Sequence, residues 1–366
     1  MRLQLIAAAA VACASTARAD PDRARRASGS LHLYADDDGM TVVSPAAAAQ
    51  APVATAVLVD AAVDVDVVSG ASVDVITSAS PGTIHERRVE AALGASVATT
   101  RTITLGARAI ASHEHDYDAL HVAVSGRTEL AKRNTVLELA ADGGWEQASS
   151  VSDPSFHADR RTQRVIATIS QVLGIRAYAD LIVDVARARG YHASPYRSVI
   201  LTDPASPEVL RVPEVTPELR RAGAAALRLR HAIGDRAALH ATYRLYADDW
   251  HIVSHTLGLA ALTEADDHRW RAGLALRGYT QTAADFERAR YVVIDGMVPA
   301  LRTRDRSLSA MGSVGATLTA DVALSANGDD GVRLIAELGA IRFWFDTIAQ
   351  RERTAATTSV GITAPF

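Results

Sequence analysis

Leu120-His121-Val122-Ala123-Val124-Ser125-Gly126-Arg127-Thr128-Glu129-Leu130 carries apolar and polar side chains in alternation. Leu120, Val122 and Val124 share one parity, and His121, Ser125, Arg127 and Glu129 share the other. An extended chain turns successive side chains to opposite faces, so this stretch reads as a strand with one greasy and one ionic face. Two further stretches repeat the pattern. Ala177, Ala179, Leu181, Val183 and Val185 oppose Tyr178, Asp180 and Asp184, and Trp270, Ala272, Leu274 and Leu276 oppose Arg269, Arg271 and Arg277.

A soluble sandwich also alternates, and three features favour a membrane barrel over it. The alternating segments run about 11 to 15 residues, long enough for a tilted strand to cross the hydrocarbon layer and longer than the usual soluble strand. Their polar faces carry Arg, Asp, Glu and His, which suit a wet lumen. Connections alternate in length. Short ones fall near 99–101, 131–134, 172–175, 232–236 and 264–268, and longer ones at 68–85, 112–118, 147–159, 188–217 and 281–303, with a tight turn at 247–250 as the exception. Short turns at one rim and longer loops at the other are the habit of outer-membrane barrels.

The expected fold is therefore all-β: one transmembrane antiparallel up-and-down barrel. From Val53 to Phe366 the periodicity gives roughly fourteen strands. The stretch 28–45 adds a hairpin, Leu31-His32-Leu33-Tyr34 and Met40-Thr41-Val42-Val43 around Asp36-Asp37-Asp38-Gly39. About sixteen strands is then the favoured total and fourteen the alternative, both even as bacterial barrels require. The lipid bilayer of the outer membrane is the implied surrounding, because only a closed sheet satisfies its backbone in lipid.

The termini fit export. Arg2, the apolar stretch 3–14 and Ala17-Arg18-Ala19 read as a signal peptide over 1–19, leaving 20–366 as the barrel; a lipoprotein cleaved before Cys13 is the competing reading. Cys13 is the sole cysteine of 366 residues, so cleavage after Ala19 removes disulfides and thiolate chemistry together. After the signal, no run of about 18 apolar residues exists to form a membrane-spanning helix. With 22% charged residues, a net charge of −4, a pI near 6.3 and a mean hydropathy of +0.06, no basic surplus points to nucleic acid. Thr358, Val360, Ile362, Ala364 and Phe366 form one face of a closing strand. That ending resembles the assembly signal of outer-membrane barrels and implies the barrel assembly machinery as a partner; Pro365 departs from the usual pattern.

Four stretches together resemble a family of bacterial outer-membrane proteins defined by a domain of unknown function: Tyr34-Ala35-Asp36-Asp37-Asp38-Gly39, the run 66–80, Gly190-Tyr191-His192-Ala193-Ser194-Pro195-Tyr196-Arg197, and the closing aromatic. The resemblance covers the mature chain, implies a barrel in the outer membrane and brings no established activity.

Asp66-Val67-Val68-Ser69-Gly70-Ala71-Ser72 is similar to the Asp-x-x-Ser/Thr-Gly/Ser-Ala-Thr/Ser pattern of exported proteins that receive covalent FMN. In those proteins an FAD:protein FMN transferase joins FMN to the last hydroxyl, here that of Ser72. A second copy follows from Asp74 to Ser80, with Ser80 in the acceptor place. The resemblance implies a flavin-carrying component of an envelope redox system, in which the flavin supplies the electron chemistry. The same residues also read as a plain long strand and turn, with Val63, Val65, Val67, Ala71, Val73 and Val75 on one face. Parity places the motif at the outer loops, whereas the transferase works in the periplasm.

Other clusters read more simply. His113-Glu114-His115-Asp116-Tyr117-Asp118 holds metal-capable groups in a loop without helical i, i+4 spacing, so a solvated turn is expected and no metal site is assigned. Asp36-Asp37-Asp38-Gly39 reads as an Asp/Gly turn rather than a calcium loop. His192 with Ser194, or Asp248 and Asp249 with His251, are hydrolytic candidates without distinguishing spacing, and no catalytic residue is assigned. His251 and His255 are expected to share the lumen face. Trp145, Tyr178, Tyr243, Trp250, Trp270, Tyr279, Phe343, Trp344 and Phe345 lie near strand ends, as girdle residues or as lumen and loop residues. Three functions stay open: a flavinylated redox barrel, a passive pore or transporter with a charged lumen, and a scaffold for envelope partners.

Overall fold

A computed structural model describes residues 25–70, 84–205, 209–265, 269–294, 296–324, 331–347 and 351–366. The proposed signal segment 1–19, and Ala71, Ser72, Asp74 and Ser80 of the flavin-like motif, lie outside the described residues.

Sixteen antiparallel strands close on themselves. In chain order the first nine are β1 (Arg26–Asp36), β2 (Thr41–Ala54), β3 (Val57–Gly70), β4 (Ile84–Ala98), β5 (Ile103–Glu114), β6 (Tyr117–Leu130), β7 (Thr135–Ser149), β8 (His157–Gly174) and β9 (Ala177–Gly190). Two short strands, β10 (Ser198–Thr202) and β11 (Val209–Pro213), leave the wall. The wall resumes with β12 (Leu219–Ile233), β13 (Ala237–Asp248), β14 (Val253–Glu264) and β15 (Trp270–Gln281). After the outlying β16 (Tyr291–Val292), it ends with β17 (Met311–Ala323), β18 (Arg333–Phe345) and β19 (Glu352–Pro365). Closure joins β1 to β19 in continuous register from Arg26 opposite Pro365 to Asp36 opposite Ala355. Each wall strand thus has a partner on both sides, and no edge is left for another chain to extend. Pro365 sits at the last paired position, where a missing N–H costs least.

The alternation is what decides the packing. Leu93, Val124, Leu139, Leu257 and Leu338 point outward and are 68%, 57%, 56%, 52% and 58% exposed, so the apolar face has no protein to cover it. The ionic parity points inward and is mostly half-buried. A soluble core would reverse this, and a barrel of sixteen strands is about 30 Å across, wide enough to leave water inside. The Leu120–Leu130 reading holds residue for residue: His121 meets Asp142 at 3.3 Å and Arg127 meets Glu129 at 3.4 Å on the lumen side.

Connections between β2 and β3, β4 and β5, β6 and β7, β8 and β9, and β12 and β13 are short, and the chain ends of the described barrel lie at that rim, where the Phe366 amide bonds the Arg25 carbonyl. The other rim carries the long connections. One expectation fails there. Residues 112–118 form a tight hairpin, not a long loop, because β5 runs on to Glu114 and β6 begins at Tyr117. The long loops 191–218 and 282–310 carry strands of their own: β10 pairs antiparallel with β11 and parallel with β16, forming a separate three-stranded sheet at the rim.

Candidate functional site

The site is the lumen together with the loop cap above it. Two of the buried apolar clusters lie in the cap, and a third, Met311 and Phe345 with Tyr279 and Phe343, lies on the lumen side of the wall beneath it. Val199 and Leu201 of β10 are fully buried against Tyr291 of β16, with Val212 and Val293 packed on them. A second cluster, Trp250, Ile252, Ala284 and Leu308, joins the β13–β14 turn to the loop 282–310. Trp250 donates from Nε1 to the Leu219 carbonyl at 2.9 Å, meets Phe286 and His192 edge-on, and lies under the Arg220 guanidinium at 4.5 Å. It is 4% exposed and packs inside the cap, so it is not a girdle residue.

Buried polar groups lock the two loops. Glu214 accepts from Arg197 Nη1 at 3.1 Å and from Thr303 Oγ1 at 3.0 Å, and Arg197 also reaches Asp305 at 2.8 Å. Burial raises the Glu214 carboxyl above its usual range even with the Arg197 charge beside it. The Tyr291 hydroxyl donates to the Phe286 carbonyl at 2.5 Å and accepts from the Thr303 amide at 2.6 Å. Arg306 runs from the same loop to Asp38 in the β1–β2 hairpin, with side-chain exposures of only 10% and 1%. That contact answers for Asp36-Asp37-Asp38-Gly39. Asp36 accepts from the Asp38 and Met40 amides, Asp37 from the Thr354 amide, and Gly39 takes φ +77° to close the turn. The aspartates serve a hairpin and a latch.

The lumen charges are sorted by wall. Strands β3, β4 and β5 turn Asp60, Asp64, Asp66, Glu86, Glu90 and Glu114 inward, together with Arg88 and Arg108. Arg108 pairs with Asp60, and Arg88 with Glu90 and with Asp66. Strands β12, β13 and β15 turn in Arg220, Arg228, Arg230, Arg244, Arg271 and Arg277. Some of these are spoken for: Arg220 by Asp248 at 2.6 Å and Arg271 by Glu264 at 3.0 Å. Arg228, Arg244 and Arg277 make no ion pair among the described residues, and the latter two lie over Tyr246 and Tyr279. In the closed order β13 stands eight places from β3, so the arginine wall faces the acidic wall across the water.

Several sequence candidates come apart. His255 points outward, bonded to the Tyr243 hydroxyl at 2.7 Å, and so does not share a lumen face with His251. His251 sits in the β13–β14 turn at φ +66° and pairs with Asp285 at 2.8 Å. Asp248 is taken by Arg220 and Tyr246, and Asp249 accepts from the Arg221 amide, so neither couples to His251. His192 packs on Trp250, and no His192–Ser194 bond forms among the described residues. Burial, with Arg160 and Arg220 nearby, pushes its imidazole down to about 4, so it is neutral at neutral pH. The hairpin 112–118 splits its ligands: His113 and Asp118 pair outside at 2.6 Å, while Glu114 and Asp116 turn toward Glu86. Those three carboxylates lie within 4.8 Å of one another, and an acidic cluster alone assigns no ion. Asp66 accepts from Ser44 and stands 3.6 Å from Arg88 on the lumen wall, and Ser69 and Gly70 end β3. Tyr178, Tyr279, Phe343 and Phe345 face the lumen, Arg353 lying 4.6 Å from the Phe343 ring centre, whereas Trp145, Tyr243, Trp270 and Trp344 face outward.

A sealed wall, greasy outside and ionic within, defines a transmembrane β-barrel of the outer-membrane type. The family model described as "Protein of unknown function (DUF3570)" matches residues 140–335, and the chain belongs to that family. Among solved structures, a bacterial polysaccharide outer membrane secretin is similar at TM-score 0.54 and 9% identity, over 94% of this chain and 99% of that one. CdiB from Acinetobacter baumannii is similar at TM-score 0.52 and 8% identity, over 92% and 60%. The siderophore receptor PirA from Pseudomonas aeruginosa is similar at TM-score 0.49 and 9% identity, over 93% and 62%. The chain thus spans about three fifths of the length of CdiB and of PirA. These likenesses concern the fold. No curated protein matches the chain.

Proposed function

We propose that the protein sits in the outer membrane with its loop cap outward and conducts small polar solutes through the lumen. The observation that carries this reading is the pair of facing walls, Asp60, Asp64 and Asp66 on β3 and Arg228, Arg244 and Arg277 opposite. Opposed charges across a wet lumen set a transverse field that orients dipolar solutes and biases ions by sign. Planar-bilayer recordings test it. The triple variant Asp60→Asn, Asp64→Asn, Asp66→Asn shifts the reversal potential toward anions, and Arg228→Gln, Arg244→Gln, Arg277→Gln shifts it toward cations. An insulating wild type that stays insulating once the cap is trimmed would sink the pore.

A second reading rests on the motif 66–72: Ser72, or Ser80 in its repeat, carries FMN attached by an FAD:protein FMN transferase, and the barrel serves an envelope redox system. Small residues around a hydroxyl suit a transferase that must approach the backbone closely. Protein isolated from its native host then shows an intact mass raised by one or two FMN groups, abolished by Ser72→Ala with Ser80→Ala; an unmodified mass removes this reading.

A further inference from the structure

The outward face is apolar over most of the wall, and it is interrupted at the loop end of three neighbouring strands. Arg161 on β8, Arg187 and Arg189 on β9, and Arg221 on β12 all point outward and are all exposed. Pairing places them side by side: Arg161 stands opposite Arg189, and Arg187 opposite Arg221. None of the four forms an ion pair among the described residues. Two outward carboxylates lie beside them: Asp159 accepts from Gln147 Nε2 at 3.2 Å, and Asp249 accepts from the Arg221 backbone amide at 2.9 Å. Like charges directly opposite on one face of a sheet destabilise the pairing, and a cation on the lipid face costs up to about 1 kcal/mol near the interface, where these loop-end residues lie. An anion between two such pairs in adjacent strands relieves that repulsion.

The surface next to the arginines has a polar and an apolar row. A depression of about 820 Å³ opens on the outward side of β4 to β8, with His113, Asp118, Gln147 and Asp159 along its loop end and apolar residues below them. One pairing row crosses it: Ala91 opposite Ala111, Ala111 opposite Leu120, Leu120 opposite Trp145, Trp145 opposite Arg161, and then Arg189. Alanines make the floor low, Trp145 forms a wall, and the row ends in guanidinium groups. A guanidinium holds phosphate oxygens with two parallel N–H donors and binds them more specifically than a point charge does. Tryptophan beside it marks the level where hydrocarbon meets headgroups.

We propose that this outward patch binds a phosphorylated glycolipid of the outer leaflet, with its phosphates between the paired arginines and an acyl chain along the Ala91–Ala111–Leu120 floor. The leaflet assignment rests on the cap-outward orientation of the preceding reading; the phosphate and acyl contacts do not.

The test uses full-length barrel, delipidated in detergent, with diphosphoryl lipid A as probe and phosphatidylglycerol and phosphatidylethanolamine as comparators, read by native mass spectrometry and thermal shift. Wild type retains lipid A at least tenfold better than either phospholipid. Arg161→Gln with Arg189→Gln, and separately Arg187→Gln with Arg221→Gln, each lower retention about tenfold, and Ala111→Trp lowers it by filling the floor. Without lipid the Gln variants are no less heat-stable than wild type, because the repulsion is gone. Equal retention by wild type and both double variants overturns the site. Equal binding of phosphatidylglycerol overturns the glycolipid assignment. Arg228→Gln in the lumen leaves lipid retention unchanged, so failure of the pore reading and failure of this one are separable. Whole-cell labelling of a cysteine placed in 191–218 reports orientation independently, and an inward-facing loop overturns the outer-leaflet assignment.

Discussion

Arg306→Ala is expected to unlatch the cap and raise single-channel conductance severalfold. Arg306 and Asp38 are the buried bridge between the loop 282–310 and the β1–β2 hairpin, whose side chains are 10% and 1% exposed. Removing one partner of such a pair leaves the other charge buried and uncompensated, at about 3–5 kcal/mol. The substitution also strips the guanidinium from the Phe345 ring, 5.7 Å away. The loop keeps its link through Gln281, whose side-chain amide donates to the Ser307 and Ser309 carbonyls, so the wall itself stays closed. Protease sensitivity should therefore rise within 282–310 while the barrel remains heat-modifiable on gels. Asp38→Asn gives a milder version, since the amide still accepts from Arg306. Unchanged conductance and unchanged proteolysis in Arg306→Ala would mean that the cap is held elsewhere.

Gly190→Ala is expected to destabilise the assembled barrel by about 3 kcal/mol or more, the sum of a disfavoured backbone and a steric overlap. Gly190 ends β9 at φ +123°, a conformation that residues with a side chain rarely adopt. A Cβ there would lie 2.1 Å from the Asp159 carbonyl oxygen and 2.9 Å from Arg160 Cα, both backbone atoms of the neighbouring strand that cannot swing away. The Gly190 amide also donates to the Glu218 carbonyl at 2.7 Å, and Tyr191 to the Asp159 carbonyl at 2.9 Å, so the chain has no room to relax before entering the cap. Gly278→Ala is the control: a Cβ there has nothing within 4 Å, and its effect stays within about 0.5 kcal/mol. Urea titration of the folded gel band separates the two. A Gly190→Ala barrel as stable as Gly278→Ala would contradict the strained junction.

The strain at Gly190 illustrates what could be read early and what could not. The motif Gly190–Arg197 stands out in the sequence, and only the fold explains its first residue: β9 must leave the wall there without striking β8. Trp250 was equally visible and was open to a girdle reading, because sequence position near a strand end does not say whether a ring turns to lipid or under a loop. His255 shares the parity of Leu257 and Leu259, which point outward, whereas His251 lies in the turn, outside the strand's alternation, so counting two residues at a time from His251 gives the wrong face. The parity of Leu120–Leu130, by contrast, was safe, because eleven alternating residues leave a single consistent face.

Local alternation of apolar and ionic residues was enough to determine a closed wall of about sixteen strands, with fourteen the alternative, and its greasy side out, since period two is a property of each strand alone and closure follows from the need to pair every edge in lipid. Tertiary structure alone decided which charges face one another across the lumen, which loops meet in the β10–β11–β16 sheet, and which outward arginines become neighbours. Those relations join residues tens of positions apart through register and barrel order, and neither quantity is encoded in any single stretch of chain.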